Sequence, residues 1–146
     1  MNFTTRLGQK NDLNSVLELA NKYAAFDNYT TAADLAITSH FPQGFWVAED
    51  NGNVVGFVYG HFKEVPHEIL EKWGSKKIGY IDSMAVGRDH RRKGVGRALL
   101  TKVLAEFKKA GADMILLDCP AEAVEARRLY EKTGFEPRFY GLKKRV

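Results

Sequence analysis

Residues 88–97 read RDHRRKGVGR, five Lys/Arg and one His crowded around two glycines spaced two apart. An apolar helical stripe starts at once, with Val95, Leu99, Val103 and Phe107 at helix spacing over 94–110 and Gly111 as a stop. A helix start exposes unpaired amides and about half a positive charge, which makes it a natural anion site. Side chains on the approach would hold an anion away from those amides. Glycines at 94 and 96 remove that obstacle, while Arg91, Arg92, Lys93 and Arg97 add charge. A diphosphate fits the combination.

Other anion sites fit less well. A P-loop needs Lys-Ser/Thr after its last glycine, whereas Gly96 is followed by Arg97 and Ala98. A dinucleotide fingerprint needs three spaced glycines after an early strand, and this pair comes alone and late. Nucleic-acid binding would not require glycines, and the basic run lacks interleaved aromatics, so no nucleic-acid partner is expected.

The remaining chemistry-bearing residues narrow the field. His40, His61, His67 and His90 are scattered without metal-ligand spacing, so no metal site is expected. Cys119 is the single cysteine, which excludes an internal disulfide and fits a reducing compartment, with the cytoplasm as default. No stretch approaches the roughly 20 apolar residues of a membrane span, and the amino terminus has no apolar signal core. Charge is uneven: residues 1–62 hold three Lys/Arg against six Asp/Glu, leaving a marked basic excess in the rest of a chain whose net charge is +4. That split suits an anion bound by the second part and a cation tolerated by the first.

The elements that must position these residues follow from periodicity and punctuation. The 146 residues show no repeat or linker and read as one domain, 1–146. The pattern predicts a strand at 3–8, a helix at 11–26 capped by Asn11 or Asp12, and a shorter helix at 30–40. Asn-Gly between β-rich runs predicts a hairpin of 45–50 with 54–62. Residues 64–77 read as a short helix or an active-site loop. A strand at 78–86, the helix at 94–110, a strand at 112–119 and a helix at 121–133 come next, and 135–144 is expected to add a last strand or two. One sheet with helices on both faces is the economical solution.

Strand, Arg91-x-x-Gly94-x-Gly96, then helix resembles the GCN5-related N-acetyltransferase (GNAT) superfamily. Downstream, AVEARRLYEKTGFEP at 123–137 is similar to a second family segment, with Ala126, Leu129, Tyr130, Glu131, Lys132, Gly134 and Phe135 in register. The resemblance implies an α/β (α+β) fold: a single mixed, mostly antiparallel sheet of six to seven strands with helices on both faces. It implies direct transfer of an acetyl group from acetyl-CoA, as co-substrate, to an amine of a small molecule or peptide. It also leaves room for a homodimer, and for a non-catalytic acyl-CoA-binding module as the alternative.

Residue roles implied by the resemblance are these. Arg91, Arg92, Lys93, Gly94, Val95, Gly96 and Arg97 would cradle the pyrophosphate. The backbone of Met84, Ala85 and Val86 would bind pantetheine, with an N–H polarising the thioester. Tyr130 occupies the position of the acid that protonates the departing thiolate, against the plainer reading of a packing aromatic. Asp82 stands where several relatives carry a glutamate base; strand alternation puts Tyr80, Asp82 and Met84 on one face and Ile81 and Ser83 on the other. Ala123 replaces an asparagine that relatives often use to hold pantetheine. Acceptor selection would fall to Tyr23, Phe26, Asp27, Asn28 and Tyr29 and to the 63–77 segment, where Trp73 could stack on substrate.

Overall fold

The computed structural model describes residues 2–146. Strands β1 (Thr4–Leu7), β2 (Trp46–Asp50), β3 (Asn53–Lys63), β4 (Ile78–Val86) and β5 (Met114–Leu116) form one sheet in the order β1-β2-β3-β4-β5. The first three pairings are antiparallel and β4–β5 is parallel. Helices are α1 (Leu13–Tyr23), α2 (His67–Trp73), α3 (Val95–Lys109) and α4 (Val124–Lys132). The Asn-Gly hairpin forms as its turn chemistry requires: Asn51 and Gly52 both have positive φ, 51° and 79°, which a primed turn demands.

Each face of the sheet is closed by its own helices. On one, Val95, Leu99, Leu100, Val103 and Phe107 of α3 pack on Val58 and Ile81, with Tyr130 of α4 joining them. On the other, Val16 and Ala20 of α1 meet Phe57, Tyr59 and Ala85. The apolar stripe read from the sequence of α3 is therefore its buried face.

Three expectations are corrected. The 30–40 segment forms a 3-10 turn over Asp34–Ser39 instead of an α-helix. Among the described residues the sheet has five strands, not six to seven, because nothing after α4 pairs with it. Phe135 N–H still bonds to Tyr130 O at 3.0 Å, but 136–146 then runs irregular and exposed. Pro137 removes a ladder donor inside the expected 135–144 strand. Finally, Asp12 does not cap α1 with its side chain; its carboxylate accepts from Gln9 N–H at 2.8 Å and from the Arg6 guanidinium at 2.8 and 2.9 Å.

The feature that matters for function lies between β4 and β5. Their pairing covers only Ile78–Tyr80 against Met114–Leu116. Beyond Tyr80 the two strands part, so the β5-side edge of β4 from Ile81 to Val86 faces open space.

Candidate active site

That gap widens into a cleft of about 950 Å³. It is lined by β4 from Ile81 to Val86, by the end of α1 and the residues after it, by the start of α3, by the connection that follows β5, and by α4. Gly94 precedes α3 with φ 84°, a left-handed value that glycine adopts without strain. Gly96 is needed for a different reason: a β-carbon there would lie 3.2 Å from Leu129 Cδ2, so its absence lets α4 seat against α3. Among the described residues, no backbone N–H from Arg92 to Arg97 has an acceptor; the first donated bond of the helix runs from Ala98 N–H to Gly94 O at 2.9 Å. A run of free amides at a helix start, rimmed by bases, fits a diphosphate.

The basic residues divide. Arg91, Arg92 and Arg97 line the cleft with Gly94, Val95 and Gly96, and Lys93 lies outside its wall. Arg91 Nε donates to Val86 O at 3.2 Å and its guanidinium sits 5.0 Å from the Tyr23 ring centre. Arg92, itself at positive φ, reaches Glu125 at 3.3 Å. His90 turns away and pairs with Asp50 at 3.1 Å.

Met84, Ala85 and Val86 lie along the same cleft. Past them the wall carries Tyr130 from α4, a ring only 9% exposed and set edge-on to Phe135. Burial first, and the neighbouring Cys119 second, push its phenol up to about 12, so it stays protonated through the neutral range. Cys119 lines the cleft too, and burial raises its thiol, so it is no ready thiolate nucleophile. At the start of α4, Ala123 offers no side-chain cap, and Glu122 lines the cleft beside it.

Asp82 reaches the cleft by a route that simple alternation misses. Tyr59 pairs with Ser83 and Gly60 with Ile81, so Asp82 is the extra residue of a β-bulge. The bulge breaks the expected face assignment. Ile81 packs in the α3 cluster with Met84, while Asp82 turns to His61, whose Nδ1 lies 2.6 Å from its Oδ2. Burial raises the Asp82 carboxyl above the ordinary aspartate value, and His61, Lys63 and His40 pull it back. Sequence reasoning missed His61; its one signal was a polar residue inside an otherwise β-rich run.

Of the residues expected to select the acceptor, Tyr23, Phe26, Asp27 and Asn28 line the cleft, with the Tyr23 ring against the Arg91 guanidinium. Tyr29 is not part of the wall, and neither is any residue of the 63–77 segment. Trp73 instead meets the Arg138 guanidinium, 6.0 Å from the ring centre.

Free amides at a helix start, at the end of an unpaired strand edge, suit an anionic group joined to an extended chain. The chain belongs to the acetyltransferase (GNAT) family, whose profile matches residues 13–135. It is 35% identical over 130 residues to an uncharacterized N-acetyltransferase of Methanocaldococcus jannaschii, covering 87% of this chain and 74% of that one. It is 26% identical over 142 residues to an N-alpha-acetyltransferase of Sulfurisphaera tokodaii, covering 92% of this chain and 80% of that one. Among solved structures it is similar to Ard1 from Thermoplasma volcanium, with a TM-score of 0.75 at 28% identity, covering 93% of this chain and 84% of the other.

Proposed function

We propose that the protein moves an acetyl group from acetyl-CoA directly to the amine of a small molecule or peptide, with Tyr130 as acid and Asp82 as base. One observation carries this reading: a single cleft joins the free amides of 92–97 to both Tyr130 and Asp82 along the unpaired edge of β4.

The diphosphate of acetyl-CoA fits the amides at the start of α3, and the pantetheine arm fits along Met84–Val86 as a strand would. A backbone N–H there would polarise the thioester carbonyl and support the oxyanion that forms on attack. An acceptor amine arrives as ammonium, since its ordinary pKa is near 10, and must lose a proton before it attacks. Asp82 takes that proton. The leaving thiolate takes one from Tyr130, whose raised phenol is a reserve of bound proton at neutral pH.

Two acidic residues in the cleft lining, Asp27 and Asp82, favour a cationic acceptor, and Phe26 offers an apolar ring to its body. The N-alpha-acetyltransferase among the relatives makes a peptide amino terminus one candidate. Thermal shift with acetyl-CoA, followed by thiol release against polyamines, amino acids and peptide amino termini, tests the reading. A shift with turnover supports it. A shift without turnover on any amine favours the acyl-CoA-binding alternative, which Ala123 in place of the usual asparagine would suit. No shift at all removes both.

A further inference from the structure

The most distinctive pairing in the site is one that the family segment of 123–137 does not contain. His61 on β3 and Asp82 on β4 stand 2.6 Å apart, with side chains 24% and 20% exposed. Asp82 lines the cleft and His61 does not. The imidazole is itself held, its ring edge-on to Tyr80 with centres 5.8 Å apart, and Tyr80 is also its cross-strand partner. The bulge at Asp82 is what aims the carboxylate at this imidazole.

We propose that His61 is a positioning residue for the acetyl transfer: its Nδ1–H holds Oδ2 of Asp82 and leaves Oδ1 to take the proton of the acceptor ammonium. The inference rests on the reading of Asp82 as base. In the step, an N–H bond of the ammonium breaks and an O–H bond forms on Asp82. The freed nitrogen lone pair then attacks the thioester carbon, the C–S bond breaks, the thiolate sulfur takes the Tyr130 proton, and the acylated nitrogen loses its surplus proton to solvent, leaving the neutral amide. Solvent later returns a proton to Tyr130 and removes one from Asp82, closing the cycle.

A half-buried carboxylate in an apolar strand pair prefers its neutral form unless something donates to it. The groups that face Asp82 are Tyr59, His61 and Lys63 from β3, Tyr80 from β4, and His40 after the 3-10 turn. Of these, His61 makes the strongest favourable contribution to the ionised form. Removing it leaves burial opposed only by the more distant Lys63 and His40, so a higher pH is needed to ionise the base.

The test compares full-length His61→Ala, His61→Asn and Asp82→Asn as pH–rate profiles, with melting temperature and acetyl-CoA affinity measured on each. Asparagine keeps an N–H near the Nδ1 position without titrating. His61→Ala is expected to lower kcat about tenfold, less than the roughly 100-fold or more that losing the base itself would cost. Its acidic limb should move to higher pH, with acetyl-CoA affinity unchanged, and His61→Asn should recover most of kcat. Nitrogen NMR of the wild-type ring should find the neutral form protonated at Nδ1. Should His61→Ala prove unstable, the asparagine variant and the ring tautomer decide the matter. Wild-type kcat and pH profile in His61→Ala, beside an inactive Asp82→Asn, would overturn the role of His61 and leave Asp82 as base. An Asp82→Asn variant as active as wild type would remove the base assignment, and the role of His61 with it.

Discussion

Gly96 and Leu129 approach so closely that a β-carbon on residue 96 would stand 3.2 Å from the leucine Cδ2. Two parts of the site meet at that contact: the helix start that offers amides to a diphosphate, and the helix that carries Tyr130 one residue further on. The glycine pair thus does two separate jobs. Gly94 supplies a left-handed backbone, and Gly96 supplies room for a neighbouring helix.

The two glycines should therefore fail differently. Gly94→Val forces a β-branched residue to φ 84°, with no atom nearby to clash, and should abolish acetyl-CoA binding through a distorted turn. Gly96→Val should push α4 away and slow turnover along with weakening binding. Thermal shift reads the first effect, since a ligand at 100 times its dissociation constant stabilises the fold by about 2.7 kcal/mol. A full shift in Gly94→Val would contradict the turn's role.

Tyr130→Phe should keep acetyl-CoA affinity and lower kcat by roughly 100-fold or more, the scale of a lost general acid. The wild-type rate should show no alkaline fall from Tyr130 below about pH 11, because its phenol is held up to about 12. Steady-state kinetics from pH 6 to 10 checks both points. Unchanged turnover in the phenylalanine variant would leave the ring as packing alone.

Arg6, Asp12 and Glu49 tie β1 and β2 to the turn before α1: Arg6 donates to Asp12 at 2.8 and 2.9 Å and to Glu49 at 2.9 and 3.0 Å. Asp12 is 5% exposed, so Arg6→Ala should destabilise the fold by about 3 kcal/mol, the scale for a buried carboxylate left without its partner. The guanidinium holds the Asp12 carboxyl below its usual range. The stabilisation is accordingly complete above the unfolded aspartate pKa near 4 and fades as pH falls through the lower folded value. Urea melts of wild type and variant should converge as pH drops toward 2.

Phe107 of α3 lies flat against two glycines: β-carbons at Gly79 and Gly60 would sit 2.7 and 2.8 Å from its ring. Gly79→Ala should destabilise by about 1–3 kcal/mol through overpacking. Combining it with Phe107→Leu should cost less than the sum of the two single changes, because the smaller side chain makes room for the added methyl. Equilibrium unfolding of the four species measures the coupling.

Much of this molecule is legible along the chain. The bounds of β4, the Asn-Gly hairpin and nearly all of α3 follow from local periodicity, because each buries one face at its own repeat. The amide cradle is equally local: two glycines and a helix start are neighbours in sequence, so reading them in order is reading the site.

What the chain order does not contain is where strands part and slip past one another. The bulge at Asp82 is a relation between β3 and β4, and it joins His61 to a residue 21 positions away. Period-two alternation assumes an unbroken register, so it placed Asp82 with Met84 when a single extra residue had already changed their faces. The same holds for the unpaired tail and for the opening between β4 and β5. Glycines and bases at 88–97 dictated that an anion could be held. Only the packed sheet, by ending the β4–β5 pairing at Tyr80 and turning one carboxylate toward an imidazole, decided what lies within reach of it.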